Sequence, residues 1–389
     1  MRAVGGPGRW VWGLSGLATA AVLLVPGVRL LTAAGGPWHR QPAPDTVVRS
    51  LTVPEHVTSL DVQSYGGLVR VAAGPVSRAE VIETISYAKQ EGGLPAVVQS
   101  VSAGRLTLAA PACATSDCTV GFTVTMPAGI PASVTTDGGA AAVSGTAGAD
   151  VDSGGGPVTA EHIDGSLAVN TYGGSLQMDG AAGADVYSGG GPVTAEHIDG
   201  PLTVNTDGGA LQMDGAAGAD VDSGGGLVTA EHIDGALTVN TDGGALQLNG
   251  APGADVDSGG GPVTAEHIDG PLTVNTDGGA LQLTATVGPL RADTGGGPLS
   301  DEGADAATAD VSTGGGPARI AFSAAPDTVL LSTEGGPVTL TVPGGPYALT
   351  TDSDGGPQSV GIATDPAARR SMTVTSDGGS LQIEPASGH

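Results

Sequence analysis

The chain has 389 residues, of which 68 are glycine and only 3% are aromatic, so it lacks the large side chains that two or three ordinary globular cores would need. Its formal net charge is −27, and no lysine or arginine occurs between Arg105 and Arg291. Because nucleic acid is bound by cationic side chains that replace its counterions, this composition excludes nucleic acid and leaves cations, neutral glycans or another protein as partners.

The N-terminal segment, residues 10–28, is an uncharged apolar stretch preceded by Arg2 and Arg9. Its length suits a membrane-spanning helix and slightly exceeds the apolar core of a usual signal peptide. A cleaved signal peptide stays open as the alternative, because residues 32–34 form a weak cleavage site. We expect residues 1–32 to be a signal-anchor with a transmembrane helix in the plasma membrane, and the bulk of the chain to be extracytoplasmic.

Residues 33–48 predict a linker, and residues 49–129 predict an irregular β segment that caps the repeats which follow. Four residues separate Cys113 from Cys118, a spacing that a tight hairpin loop can bridge. In an oxidising compartment this pair predicts a structural disulfide. The absence of a neighbouring histidine and of a C-x-x-C spacing argues against a metal or redox role.

Residues 130–389 repeat one short phrase, in which an aliphatic residue is followed by Ser or Thr, two glycines and another aliphatic residue; the phrase first occurs at Val62. From Val134, the first nine steps between phrases are 17 or 18 residues, and the last four lengthen to between 19 and 23. Such a period, with a Gly-Gly turn and alternating apolar residues, is typical of a stacked solenoid. We therefore predict an all-β fold, a single-stranded β-solenoid with about 17–18 residues per rung. The phrases start at Val134, Val151, Val169, Val186, Val204, Val221, Val239, Val256, Val274, Ala292, Val311, Leu331, Thr351 and Val374.

Aligned phrases form columns of equivalent residues. Two residues before each start, Ala and Leu alternate from Ala149 to Leu272, and nine residues after it Ala alternates with Met or Leu. Strand parity points both columns inward, where small and large rungs can interdigitate in a narrow core. Two residues after the start every phrase of the array carries Ser or Thr, whose hydroxyl can satisfy backbone groups of the Gly-Gly bend.

The residue after each start forms an outward column in which Asn alternates with Asp or, once, with Tyr. On stacked rungs about 4.8 Å apart, two adjacent carboxylates would repel by roughly 1 kcal/mol even in water, so the interleaved amides indicate that consecutive phrases are vertical neighbours. The column consists of Asp152, Asn170, Tyr187, Asn205, Asp222, Asn240, Asp257, Asn275 and Asp293.

Calcium is the better of the ionic hypotheses, because the repeats are rich in oxygen ligands and strongly acidic. The candidate ligands are Asp150, Asp152, Asp222 and Asp257. The glycine-rich nonapeptide of calcium-binding β-rolls is absent, so we keep Ca²⁺ as an alternative and predict no required cofactor.

Four Glu-His pairs, with His162, His197, His232 and His267, recur every 35 residues. Ligands on every second rung would lie about 9–10 Å apart, too far to share one zinc ion with bonds of about 2.1 Å. We interpret each pair as a solvated corner that precedes an inward Ile. Catalysis needs one preorganised, partly desolvated site, and replicated exposed motifs do not provide one, so we predict that the protein is not an enzyme.

The chain resembles the bacterial putative-adhesin family of β-strand-repeat proteins. The resemblance rests on the N-terminal apolar span, on the cysteine pair before residues 122–129, and on the repeated Val-x-Thr-x-Gly-Gly-x-Leu units. It implies a membrane-anchored, outward-facing β-solenoid of the high-GC Gram-positive type, without known catalysis. We expect a cell-surface adhesin, or an envelope scaffold or spacer, with a cell-envelope glycan or protein as partner. The alternatives are an envelope accessory or sensor factor with a passive solenoid, and a Ca²⁺-binding surface protein.

Overall fold

The computed structural model describes residues 44–87, 94–110 and 118–386, which belong to one compact unit, Ala43–His389. All regular elements in these ranges are β-strands, numbered β1 to β32. The predicted membrane-spanning segment lies outside the described residues. Among the residues that are described, no helix is long and apolar enough to cross a membrane. The transmembrane helix therefore stays a prediction, while the all-β assignment is confirmed for the described ranges.

The N-terminal end of the unit mixes parallel and antiparallel pairing. β1, β3 and β6 form an antiparallel ribbon, and β4 pairs antiparallel with β5. The long strand β2 runs parallel to β5 along its first half and parallel to β6 along its second half. The strands are β1 (Asp45–Thr52), β2 (Ser59–Ala73), β3 (Glu80–Tyr87), β4 (Val98–Ser102), β5 (Arg105–Ala109) and β6 (Thr119–Met126).

From Val134 onward each phrase forms one rung, which consists of a strand, the Gly-Gly bend and a second strand. The strands before the bend stack into one parallel sheet, which we call the first face, and the strands after the bend stack into the second face. Together they form a parallel β-solenoid, in which the phrases from Val134 to Leu331 make about 12 turns that stack in chain order. Two long strands, β10 (Val158–Thr171) and β11 (Leu176–Ser188), continue through the return corner and contribute to both faces.

The remaining strands of the first face are β7 (Ala132–Asp137), β9 (Ala149–Ser153), β13 (Leu202–Thr206), β15 (Ala219–Ser223), β17 (Leu237–Thr241), β19 (Ala254–Ser258), β21 (Leu272–Thr276), β23 (Leu290–Asp293), β25 (Thr308–Thr313) and β27 (Thr328–Thr333). Those of the second face are β8 (Ala141–Ser144), β12 (Val193–Ile198), β14 (Leu211–Ala216), β16 (Val228–Glu231), β18 (Leu246–Ala251), β20 (Val263–Ile268), β22 (Leu281–Thr284), β24 (Leu299–Ala304), β26 (Ala318–Phe322) and β28 (Val338–Val342). The last four strands are β29 (Ala348–Asp352), β30 (Gln358–Val360), β31 (Ser371–Ser376) and β32 (Leu381–Pro385).

The register of the stack confirms one phrase per rung. Val134 pairs with Val151, Val151 with Val169 and Val169 with Val186, and the same relation continues along the array. Asp152 likewise pairs with Asn170, and Asn170 pairs with Tyr187, so the outward column is a true vertical column. In-register stacking of near-identical rungs is what places like residues over one another.

The inward columns form the core of the solenoid. The alternating Ala and Leu of the first face and the alternating Ala and Met or Leu of the second face are all buried, as predicted. Buried Ile residues such as Ile163 and Ile198 complete the Ala-bearing rungs. A rung with small side chains is therefore filled by its neighbours above and below, which keeps a thin core dense.

The Gly-Gly bends depend on hydroxyls and on close stacking. The buried Ser153 hydroxyl donates to the carbonyl of Gly156 over 2.9 Å, and Thr294 donates to Gly297 over 2.7 Å. The last glycine of each bend has no room for a side chain, because a Cβ at Gly209 would lie 2.1 Å from the carbonyl oxygen of Gly191 on the preceding rung. The hydrogen bond explains why Ser or Thr recurs in every rung, and the close stacking explains why Gly recurs at the end of every bend.

The order of rungs departs from chain order at both ends. At the C-terminal end β31 lies between β27 and β29, and β32 lies between β28 and β30. At the N-terminal end β2 lies between β5 and β7 along its first half, and between β6 and β8 along its second half. The first and last phrases of the chain are thus paired on both sides, and a neighbouring segment forms the outer rung.

Candidate functional site

One column of acidic side chains runs along the return corner, where each strand of the second face ends. Glu161 pairs with Asp179, and Asp179 pairs with Glu196, so carboxylates stand on directly adjacent rungs. We call this set the acidic column. Its members in stacking order are Glu161, Asp179, Glu196, Asp214, Glu231, Asn249, Glu266, Thr284 and Glu302, with Asn249 and Thr284 as the neutral members.

The residue after each member of the acidic column adopts a left-handed backbone. Gly occupies this position on alternate rungs, for example Gly180 at φ 73° and Gly215 at φ 71°. His occupies it on the other rungs as far as His267, as in His197 at φ 53° and His232 at φ 51°, and Ala285 and Gly303 follow the last two members of the column. Histidine enters this region more readily than most side chains do, and the kink returns the next residue, an Ile, to the core. The predicted solvated corner is confirmed, since the histidines are exposed and the Ile residues are buried.

Two histidines contact a carboxylate of the preceding rung. His197 Nδ1 lies 2.9 Å from Asp179 Oδ1, and His232 Nδ1 lies 2.8 Å from Asp214 Oδ1. About three quarters of each imidazole surface is exposed. These contacts were missed by the sequence argument, which considered only the rungs that bear histidine. The signal was present, because Asp179 and Asp214 occupy the same aligned position as the Glu residues.

The other two copies lack this contact with a carboxylate. His267 Nδ1 faces the amide oxygen of Asn249 at 3.3 Å. The rung that precedes His162 carries Ser144 at the column position. The four Glu-His copies, all within the described residues, therefore comprise two complete His-carboxylate pairs and two natural variants of them.

The contact with Asp179 raises the pKa of His197 above 6.5, first through the hydrogen bond and then through the negative charge. Asp214 raises the pKa of His232 for the same reasons. Both effects favour the protonated imidazole, in which both ring nitrogens carry a proton and Nδ1 donates to the carboxylate. Because both imidazoles are exposed, solvent screens these interactions.

Two three-residue groups bring potential metal ligands together. In Asp179, Glu196 and His197, one ligand atom from each side chain lies within 4.8 Å of the other two. Asp214, Glu231 and His232 repeat this arrangement two rungs further along. Each group combines an imidazole nitrogen with two carboxylate oxygens from adjacent rungs. The argument that histidine-bearing rungs lie too far apart to form a site does not apply, because the intervening rung supplies Asp.

The calcium candidates do not come together. Asp222 stands between Asn205 and Asn240 on adjacent rungs, and Asp257 stands between Asn240 and Asn275. Asn275 Nδ2 donates to Asp257 Oδ1 over 3.4 Å, which is the amide–carboxylate contact that the alternation predicts. Each of these carboxylates therefore has neutral neighbours above and below.

The other two calcium candidates, Asp152 and Asp150, also have no carboxylate among their register partners on adjacent rungs. Asp152 pairs with Asn170 and Thr135, and Asp150 pairs with Ser133 and Ala168. Asp150 lines an open groove of about 510 Å³ that Arg105 also lines. A calcium site at these residues stays a prediction.

The predicted disulfide falls partly outside the described residues. Cys118 is described and is buried at the start of β6. Cys113 lies outside the described residues, so the pairing stays a prediction.

Two exposed tyrosines interrupt the acidic surface near the Gly-Gly bends. Tyr172 stands where the later copies carry Asp207, and Tyr187 stands where the equivalent double units carry Asp152. Their exposed fractions are 62% and 41%. They lie on adjacent rungs, and the Tyr187 hydroxyl donates to Asp207 over 3.0 Å. The pair forms an aromatic surface, Tyr172–Tyr187, on an acidic array.

Comparisons with known proteins yield no match to any protein-family model and none to a curated protein. Among solved structures, a putative adhesin from Bacteroides fragilis matches with 11% identity and a TM-score of 0.32, covering 67% of this chain and 99% of that one. A putative cell adhesion protein from Clostridium sporogenes matches with 9% identity and a TM-score of 0.18, covering 88% and 99%. A putative adhesin from Parabacteroides distasonis matches with 11% identity and a TM-score of 0.20, covering 88% and 97%. At such identities and TM-scores the likeness carries no argument, and the names describe those three proteins alone.

Proposed function

We propose that the chain is a non-enzymatic cell-surface β-solenoid that acts as an adhesin or as an envelope scaffold, held at the plasma membrane by its N-terminal segment. The observation that supports this function is the strict vertical register, in which each outward position becomes a column of similar side chains. Such a surface offers many weak, equivalent contacts, and their combined strength grows with the number of rungs.

The chemistry of the surface favours a neutral or cationic partner. No lysine or arginine occurs between Arg105 and Arg291, and Asp or Glu recurs on both faces of the array. An anionic glycan would meet unfavourable charge along this whole length. We therefore propose a neutral envelope glycan or an envelope protein as the partner.

The Tyr172–Tyr187 surface is the part of the array best suited to such a contact. Tyrosine offers a large apolar face with a polar tip and is enriched at binding surfaces. Tyrosine replaces Asp at two positions that carry Asp in the other, near-identical rungs. The two tyrosines lie on adjacent rungs. The change removes two charges and adds two aromatic rings where a neutral partner can pack.

Shortening the array tests the proposal. Deleting residues 221–255 removes one double unit, keeps both tyrosines and joins equivalent positions, so the register of the remaining rungs is kept. We expect adhesion of cells to purified envelope material to fall in steps as one and then two double units are removed. Unchanged adhesion and unchanged envelope phenotype after both deletions would overturn the proposal and favour an accessory or sensor factor with a passive solenoid.

A second variant tests the aromatic surface without shortening the chain. The double substitution Tyr172→Asp and Tyr187→Asp restores the side chains of the other copies and should weaken adhesion. The control Tyr172→Asn and Tyr187→Asn removes both rings without adding charge, and Asn already stands above and below Tyr187. A loss in the Asp variant that the Asn variant does not share would show that charge, rather than the tyrosines, controls the contact.

A further inference from the structure

We propose that Asp179, Glu196 and His197 bind one divalent transition-metal ion of the zinc class, and that Asp214, Glu231 and His232 bind a second one. This inference is independent of the adhesive function proposed above. It rests on how the solenoid combines side chains from two adjacent rungs.

The donor set determines the kind of ion. Imidazole nitrogen with carboxylate oxygen suits Zn²⁺ and its neighbours Ni²⁺ and Co²⁺, whereas Ca²⁺ and Mg²⁺ take oxygen ligands only. In each group the three donor atoms lie within 4.8 Å of one another. Donors around a tetrahedral zinc ion with bonds of about 2.1 Å are about 3.4 Å apart, so modest rotations close the site. The exposed side chains of Asp179 and His197 are free to make these rotations.

The backbone fixes the direction from which the ligands approach. The left-handed backbone of His197, at φ 53°, makes the residue leave strand parity, so the imidazole lies outside beside the acidic column instead of in the core. Asp179 and Glu196 are register partners on adjacent parallel strands, which places their Cα atoms about 4.8 Å apart. Two ligands come from one rung and one from the rung before it, so the site exists only in the stacked state.

Electrostatics in the acidic column favours a bound cation. Asp179, Glu196, Asp214 and Glu231 occupy four consecutive rungs without a neutral member between them. The outward column on the first face relieves the same repulsion with interleaved Asn, whereas this stretch of the acidic column has no neutral member and only the exposed imidazoles of His197 and His232 beside it. A divalent ion in each group offsets the repulsion that the column otherwise retains.

The other two Glu-His copies, with His267 and His162, are natural controls for the two complete groups. His267 follows Glu266 in the same left-handed corner, but the preceding rung provides Asn249 where the complete groups provide Asp. A neutral amide oxygen is a poorer ligand for Zn²⁺ than a carboxylate. The rung before His162 provides only Ser144 at this position. These two copies should not retain an ion under conditions in which the two complete groups do.

The test uses the full chain without a histidine tag, stripped with a chelator and titrated with zinc chloride in a calorimeter and by NMR. We expect two zinc ions per chain, with the His197 and His232 ring resonances shifted and those of His162 and His267 unchanged. Asp179→Asn with Asp214→Asn should abolish both sites. Asn249→Asp should add a third site at His267, raising the stoichiometry from two to three.

Equal response of all four histidines would overturn the proposal, because it would show diffuse binding to an acidic surface. A stoichiometry that Asp179→Asn and Asp214→Asn leave unchanged would also overturn it, and so would a complete lack of zinc uptake. The control Asp152→Asn with Asp222→Asn removes the same charge from the outward column and should leave both sites intact. The gain of a site in Asn249→Asp cannot be explained by loss of folding.

Discussion

The middle of the solenoid and its two ends are built from the same phrase but follow different stacking rules. Between Val134 and Leu331 the rungs stack in chain order and in strict register. At the C-terminal end the final phrase, β31 and β32, stacks between the preceding regular rung and the polar rung of β29 and β30. The polar rung therefore forms the outer edge. The first phrase, β2, is enclosed in the same way at the N-terminal end.

This difference shows how the fold protects its edges. An outermost parallel strand leaves a row of backbone groups unpaired and open to another chain. At the C-terminal end the inserted rung is fully apolar inside, with Met372, Val374 and Ile383 buried, whereas all three residues of β30 are exposed. The apolar rung therefore takes the place with neighbours on both sides, and the polar rung takes the outer place. Both terminal phrases are held by two neighbours, which opposes fraying.

The largest effect should come from the bend glycines of the middle region. Gly209→Ala would place a Cβ 2.1 Å from the carbonyl oxygen of the rung below, and a backbone atom cannot be moved without breaking the stack. We expect a loss of more than about 3 kcal/mol in unfolding free energy. Gly344, near the C-terminal end, has open space around its Cβ position, so Gly344→Ala should change stability by less than about 0.5 kcal/mol. Urea unfolding followed by circular dichroism measures both. Equal effects would contradict the close stacking of bends.

The inserted rung and the outer rung can be compared directly at a shared column position. Ile383 and Val360 are register partners, but Ile383 is buried and Val360 is 42% exposed. Ile383→Ala should cost about 2–5 kcal/mol through lost packing, and Val360→Ala less than about 1 kcal/mol. Hydrogen exchange of the β31 and β32 amides should accelerate in the first variant only. Faster amide exchange in both variants would show that the outer rung contributes as much to stability as the inserted rung.

A buried aspartate interrupts the core where the regular middle gives way to the longer rungs. Asp301 stands in the inward column between Leu283 and Ile320, and the Thr286 hydroxyl donates to its Oδ2 over 3.2 Å. Burial raises the pKa of Asp301 to about 6 from an ordinary value of 3.8. The folded state therefore holds the proton more tightly than the unfolded state. Stability from this group is highest at low pH and falls as pH rises from about 4 through 6.

Removing this charge should stabilise the protein at neutral pH. Asp301→Asn keeps the shape of the side chain and should raise the unfolding free energy at pH 8 by up to about 3 kcal/mol. The gain should disappear at pH 4, where the wild-type carboxyl is protonated. The exposed Asp310, on the next rung, is the control, and Asp310→Asn should show no such pH-dependent gain. A gain that persists unchanged at pH 4 would contradict the assigned cause.

The smallest effect concerns the exposed corner of the middle region. In metal-free buffer, an NMR titration should give His197 and His232 higher pKa values than a free imidazole, because each donates to an Asp. Asp214→Asn should lower the pKa of His232 strongly and that of His197 only slightly, because the Asp214 charge is the smallest of the causes that raise the pKa of His197. The stabilising contact is present below the ordinary pKa of 6.5 and is lost as pH rises through the folded-state value. A His232 pKa that does not respond would place the two groups apart in solution.

The regular part of the fold could be predicted from the sequence because residues at the same position of successive repeats are neighbours in the stacked structure. The period gave one rung per phrase, strand parity identified the inward columns, and the hydroxyl beside Gly-Gly was expected to bond the bend, as Ser153 does. The alternation of Asp with Asn, for example Asp257 with Asn275, predicted vertical pairing that the register confirms.

The remaining features could not be predicted from the period of the repeat. Segments with the same pattern can compete for one place in the stack, and the period does not show which of them takes it. The phrases at Thr351 and Val374 have the same form, and the phrase whose strands carry more apolar inward residues lies inside. Asp179 and Asp214 were overlooked because their spacing from a histidine in sequence, 18 residues, becomes adjacency only after stacking. The inward position of Asp301 was obscured because the lengthened steps shift the alignment in that region.

Cysteine cross-linking tests the stacking of consecutive phrases most directly. Asn205 and Asp222 are outward register partners on adjacent rungs, and adjacent strands place Cα atoms about 4.8 Å apart, within the range of a disulfide. Asn205 and Asn240 occupy the same column two rungs apart, at about 9–10 Å, which a disulfide cannot span. We predict that Asn205→Cys with Asp222→Cys forms an intramolecular disulfide under mild oxidation and that Asn205→Cys with Asn240→Cys does not. Cross-linking of the second pair but not the first would contradict the stacked solenoid.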